Sequence, residues 1–115
     1  MPLPVLVQHL ARNRLHAYCE RRIPVEQRDI VRLELRFEDD GVVLFESRPS
    51  SRQTGDWAHL DIARFRYNRA SGCWMLDAPS FVGQTAWRPY SPKPVRELER
   101  LIVMLDADSD GIFWS

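Results

Sequence analysis

The sequence predicts an α+β fold: an antiparallel β-meander of four to five strands with an N-terminal helix before it and a C-terminal helix after it. Three observations carry the prediction. Apolar residues recur at helical spacing over residues 5 to 22 and again from Val95. Between those stretches the period falls to two, beginning at Asp29. Glycine, asparagine, aspartate and proline interrupt the alternating stretch at intervals that suit turns.

Val7, Leu10, Ala11, Leu15, Tyr18 and Cys19 form the apolar stripe of the first helix, with arginines, Gln8 and Asn13 on its remaining surface. Pro2 and Pro4 sit at its entry, and Pro24 places its end near Arg21 or Arg22. Val31, Leu33, Leu35 and Phe37 then alternate with Arg32, Glu34, Arg36 and Glu38, the clearest strand in the chain. Asp39-Asp40-Gly41 supplies a turn, with glycine available for positive φ, and residues 42 to 48 return as a second strand. The length of that turn decides the face of Glu46. A three-residue loop sets Leu35 against Phe45 with Glu46 outward, whereas a two- or four-residue loop sets Leu33 against Glu46 on the apolar side.

Pro49 to Asp56 lacks periodicity and reads as a mobile loop. A third strand over Leu60 to Asn68 places Ala63, Phe65 and Tyr67 on one face and Ile62, Arg64 and Arg66 on the other. Asn68 to Gly72 turns the chain into a fourth strand, Cys73 to Leu76, and a fifth is expected near Thr85 to Tyr90. Asp77-Ala78-Pro79-Ser80 is expected to interrupt the pairing of these two. From Val95, with Pro94 in the first turn, Leu98, Leu101, Ile102 and Leu105 mark the buried face of a second helix that closes at Asp106. Gly111-Ile112-Phe113-Trp114-Ser115 is a tail too apolar to hang free and is expected to dock on the core.

At 115 residues the chain fits a single domain, 1–115, and can bury roughly two-thirds of its unfolded surface. With 44% apolar and 28% charged residues, its composition is that of an ordinary globular domain. No apolar run approaches the roughly 20 residues of a bilayer span, and the N-terminus lacks the pattern of a secretory signal, so a cytoplasmic location is expected. Two isolated cysteines, Cys19 and Cys73, read as buried free thiols. Sixteen bases balance sixteen acids, which removes the global field of a non-specific nucleic-acid or membrane binder. The distribution is uneven: residues 61 to 100 carry seven bases against four acids, and fifteen of the sixteen bases are arginine. That bias fits a GC-rich bacterial genome.

The run Val31-Arg32-Leu33-Glu34, Leu44-Phe45-Glu46-Ser47-Arg48-Pro49, Ile62-Ala63-Arg64-Phe65-Arg66-Tyr67, Trp74-Met75-Leu76, Trp87-Arg88-Pro89-Tyr90, Asp106-Ala107-Asp108 and Gly111-Ile112-Phe113-Trp114 resembles a bacterial family of small domains of unknown function. The resemblance spans most of the chain and implies no activity and no site residues. Where the family pattern continues from the first tryptophan through an aromatic strand and a polar turn, this sequence has Asp77-Ala78-Pro79-Ser80-Phe81-Val82-Gly83 instead.

Candidate chemistry falls into three groups. Asp106, Asp108 and Asp110, with Gly111, match the first positions of an EF-hand loop, but the bidentate glutamate of position twelve would lie beyond Ser115; solvated turn aspartates are the plainer reading. Arg64, Arg66, Trp74, Trp87, Arg88 and Tyr90 lie on neighbouring strands, and a sheet of arginines and aromatics is how single-stranded nucleic acids are stacked and neutralised. Alternation opposes this, since Phe65 and Tyr67 face away from Arg64 and Arg66, as in any half-buried strand. Glu46, Arg48 and Asp61 could converge as an acid/base group of a small enzyme, or form an exposed cross-strand ion pair. His9, His16 and His59 lack a third ligand nearby, and no cofactor is implied. The sequence thus favours a non-enzymatic binding or protein-interaction module. Four tryptophans and the apolar tail add the expectation of a homodimer or other protein partner.

Overall fold

The computed structural model describes residues 3–49, 56–80 and 87–114. Helix α1 (Val5–Arg22) is followed by a 3-10 turn (Val25–Gln27), strands β1 (Arg32–Glu38), β2 (Gly41–Pro49), β3 (Trp57–Asn68), β4 (Cys73–Pro79) and β5 (Trp87–Pro89), and helix α2 (Leu98–Ala107). The strands form one antiparallel sheet in the order β1-β2-β3-β4-β5, the expected meander. Among the described residues no helix is long and apolar enough to cross a membrane.

Helix α1 ends where proline requires: Ile23 is extended and Pro24 follows. It buries Ala11, Leu15, Tyr18 and Cys19, but Leu10, expected on the same stripe, is 44% exposed. The stripe in contact with the sheet is narrower than the apolar pattern, and Leu10 lies on its flank. Helix α2 buries Leu98, Leu101, Ile102 and Leu105 as expected, yet begins later than Val95. Val95 instead pairs with Trp74, its N–H donating to the Trp74 carbonyl at 3.0 Å and its carbonyl accepting from the Trp74 N–H. A backbone held to a strand cannot also start a helix, so Pro94 lies outside α2.

Both helices lie on one face of the sheet, where they share a core with Val42, Leu44, Ala63, Phe65, Trp74, Leu76 and Ala78. We call this the inner face. The β1–β2 turn contains two residues, Asp39 and Asp40, between the paired Glu38 and Gly41, so Leu33 stands opposite Glu46 and Glu46 belongs to the inner face. Gly41 is required by proximity rather than by positive φ: a Cβ there would stand 2.3 Å from the Phe65 carbonyl oxygen. Positive φ occurs at Gly72, whose turn is closed by Asn68 Oδ1 accepting from Ala70 N and Ser71 N.

A register shift between Leu44 and Phe45 bulges β3, and it corrects the third-strand reading. Ile62, expected beside Arg64, is buried in the core with Ala63, because a bulge turns two successive side chains toward one face. The pairing of β4 and β5 is a second correction. Asp77, Ala78 and Pro79 do not break the ladder but pair with Pro89, Arg88 and Trp87. Pro79 is tolerated as the last residue of its strand. The loop expected over Pro49 to Asp56 lies for the most part outside the described residues, as do Phe81 to Gly83 and the expected start of β5 at Thr85.

Candidate functional site

No helix among the described residues covers the outer face of the sheet, and strand alternation determines what it carries. From β1 come Arg32, Glu34, Arg36 and Glu38; from β2, Val43, Phe45 and Ser47; from β3, Trp57, His59, Asp61, Arg64 and Arg66; from β4 and β5, Asp77 and Trp87. Alternation thus mixes charged residues with Val43, Phe45, Trp57 and Trp87 on this face.

These side chains are paired. Asp77 is 1% exposed, and its carboxylate accepts from Arg64 Nε at 2.9 Å and from Arg66 Nε and Nη2, both at 2.9 Å. A buried carboxylate persists only with such donors. The hydrogen bond to Asp77 in turn raises the pKa of Arg66 above its ordinary value, against the opposing effect of burial. Arg64 also lies over the Trp87 ring, 5.3 Å from its centroid. Arg36 forks onto Asp61 at 3.3 and 3.2 Å, and Arg32 stacks 4.1 Å from the centroid of Trp57. Val43 is fully buried between its cross-strand neighbours Arg36 and Arg64.

Ser47, Glu34 and His59 also meet on this face. Ser47 Oγ donates to Glu34 Oε2 at 3.0 Å and lies 2.7 Å from His59 Nδ1. The order is wrong for a nucleophile: the carboxylate takes the serine proton rather than orienting the histidine. Ser47 is also 1% exposed, which denies a substrate access to its oxygen. Cys19 is no better placed, since burial pushes its thiol up to about 12.

The expected acid/base group divides between the faces. Asp61 pairs with Arg36 on the outer face, while Glu46 pairs with Arg48 on the inner one. Glu46 and Arg48 line a cleft of about 330 Å³ with Arg22, Leu60, Ile112 and Trp114; Asp61 also borders it, although its carboxylate is held by Arg36. The arginine-aromatic group divides likewise. Arg64, Arg66 and Trp87 lie on the outer face, whereas Trp74 is buried in the core and the exposed Arg88 belongs to the inner side of β5. Tyr90 packs edge-on against Phe113 and donates to Asp110 Oδ2 at 2.6 Å.

The three aspartates serve the C-terminal tail. Asp106 accepts from the Tyr18 hydroxyl at 3.0 Å and from Arg22 at 3.2 Å, and Asp110 accepts from Tyr90. Asp108, the left-handed cap of α2 at φ 42°, accepts from the backbone N–H groups of Ile112, Phe113 and Trp114 at 2.9–3.1 Å. Burial opposes its charge, but those three donors and Arg22 outweigh it and hold the carboxyl below its usual range. The tail docks as expected: Phe113 is buried, Trp114 Nε1 donates to the Leu105 carbonyl, and Arg22 stacks on the Trp114 ring. Among the described residues no group of histidines, cysteines and carboxylates is arranged to hold a metal ion.

Sequence reasoning missed the Arg32–Trp57 stack, the Glu34–Ser47–His59 chain and the burial of Asp77. Asp77 had a readable signal in following Leu76 in strand alternation; Trp57 and His59 had none until β3 was known to begin before Leu60.

Fold and surfaces define an α+β domain with one helix-covered sheet face and one face of arginines held by carboxylates and aromatic rings. The chain belongs to a family described as a domain of unknown function (DUF3024), whose model matches residues 3–115. Comparison with curated proteins and with solved structures gives no match.

Proposed function

We propose that the domain is a non-enzymatic protein-interaction module whose outer sheet face is the contact surface. The observation that supports this most is the fixing of Arg32 and Arg64 against Trp57 and Trp87 on a face that no helix among the described residues covers. Arginine and tryptophan are the residues that anchor protein interfaces, and stacking reduces the side-chain freedom lost on binding. A nucleic-acid surface is less well supported. Arg36, Arg64 and Arg66 already hold Asp61 and Asp77, and Glu34 and Glu38 share the face, so phosphates would meet little free positive charge. An acid/base site is less well supported because Asp61 and Glu46 point to opposite faces. The free cysteines, one sealed in the core, suit a reducing compartment such as the bacterial cytoplasm.

Photocrosslinking residues placed at positions 57 and 87, with position 103 on the exposed side of α2 as control, test the reading in cells. Discrete protein adducts are expected from 57 and 87 and not from 103. Equal labelling from all three positions overturns the assignment, and salt-sensitive binding of short oligonucleotides would replace it with the nucleic-acid reading.

A further inference from the structure

The sheet has two edges, and they differ. β5 is a three-residue strand ending at Pro89, a blunted edge of the kind that resists further pairing. β1 is seven residues long, without proline, glycine or bulge. Its inner-facing Leu33, Leu35 and Phe37 are only half-buried, and they floor an open groove of about 510 Å³ against α1, walled by Arg12, His16 and Ile23. The groove lies where the inner side chains of one more strand would sit.

We infer that the missing strand is β1 of a second copy, paired antiparallel about a two-fold axis at Leu35, so that one sheet runs through both molecules. The backbone permits it. A two-residue turn closes on a hydrogen-bonded pair, here Glu38 with Gly41, and by alternation Arg36, Glu34 and Arg32 also direct their backbone groups to β2. Leu33, Leu35 and Phe37 therefore point their N–H and C=O groups to the free edge, in the positions that a strand centred on Leu35 would bond.

The side chains select that register. With the axis at Leu35, Arg32 stands opposite Glu38 of the second copy and Glu34 opposite its Arg36, all on the outer face. Leu33 stands opposite Phe37 and Leu35 opposite itself, on the inner face above the groove. Moving the axis to Glu34 sets Glu34 against itself and Arg32 against Arg36; moving it to Arg36 sets Arg36 against itself and Glu34 against Glu38. Like charges directly opposite destabilise a ladder, and opposite charges support it. The alternating charges of β1 thus discourage a slipped pairing while matching a second copy in full register. Arg12, stacked on Phe37 5.0 Å from its centroid, adds to the match. The two-fold would bring it toward Glu20 of the second copy, two helical turns away along α1.

This inference goes beyond the reading of the outer face: it uses the free edge of β1, shares only the charges of Arg32 to Glu38 with that face, and is read independently of it by the Leu35 cross-link on the inner side. Light scattering of the whole chain is expected to give twice the monomer mass of 13.5 kDa. R32E sets like charges opposite at both ends of the ladder and should weaken the dimer about tenfold, while R32E/E38R restores opposite charges and should recover it. In a Cys73→Ser background, L35C should form a disulfide-linked dimer under mild oxidation, because residues facing each other across a two-fold lie within disulfide reach. L33C alone should not, but should cross-link when mixed with F37C. W87A, at the opposite edge of the sheet, should leave the mass unchanged. Monomer mass at every accessible concentration overturns the proposal, as does cross-linking of L33C alone as readily as L35C.

Discussion

The two faces of the sheet bury their centres by different means. On the inner face Val42, Leu44, Phe65 and Leu76 are fully buried under two helices, by apolar contact. On the outer face Val43, Ser47 and Asp77 are buried almost as completely, with no helix among the described residues above them. There, the guanidinium groups of Arg64 and Arg66 close on Asp77, and that of Arg64 also on the Trp87 ring. Burial is therefore not the mark of the hydrophobic side alone. The inner face derives stability from area and packing, whereas the outer face derives order from directional bonds that contribute little net energy.

The contrast predicts how each face responds to damage. The largest loss is expected on the inner face: F65A removes a fully buried ring beneath both helices and should cost about 3–5 kcal/mol in urea unfolding. On the outer face, R64M/R66M leaves the Asp77 carboxylate buried without donors. Because the arginines are 25% and 35% exposed, screening reduces the penalty to about 2–3 kcal/mol. Adding D77L should recover most of that loss, since an apolar triad of similar volume needs no partners. Failure of D77L to recover stability would show that the ion group contributes net energy.

The smallest effect belongs to the tail. D108N keeps the left-handed cap, which asparagine tolerates, but loses the charge that three N–H groups share, at a cost of about 1 kcal/mol in a partly solvated site. The sign of its pH dependence follows from the lowered pKa in the folded state. The contribution is complete above the unfolded carboxyl value of about 3.9 and disappears as pH falls through the folded one. Acid titration followed by tryptophan fluorescence should show a tail transition in the wild type that D108N lacks.

Much of the fold was legible because periodicity reports on one element at a time. The end of α1 at Pro24, the buried face of α2, the alternation of β1 and the docking of the Ile112–Trp114 segment could be read without knowing any neighbour. The site was legible only in fragments. Arg64, Arg66 and Trp87 share the outer face, but Trp74 and Tyr90, equally aromatic and on nearby elements, face the core side. Which face a residue occupies depends on register, and register is a relation between strands.

The sequence by itself determined the α+β class, the order of its elements and the polar alternation that makes one face of the sheet rich in arginine, because these follow from side-chain period and turn chemistry within short windows. Only the tertiary structure decided that Glu46 faces inward, that the β3 bulge turns Ile62 and Ala63 to the same side, and that Asp77 is buried beneath two arginines. The physical reason is that a one-residue change in turn length or bulge position reverses every side chain beyond it, and the energies that choose between registers come from residues far apart in the chain.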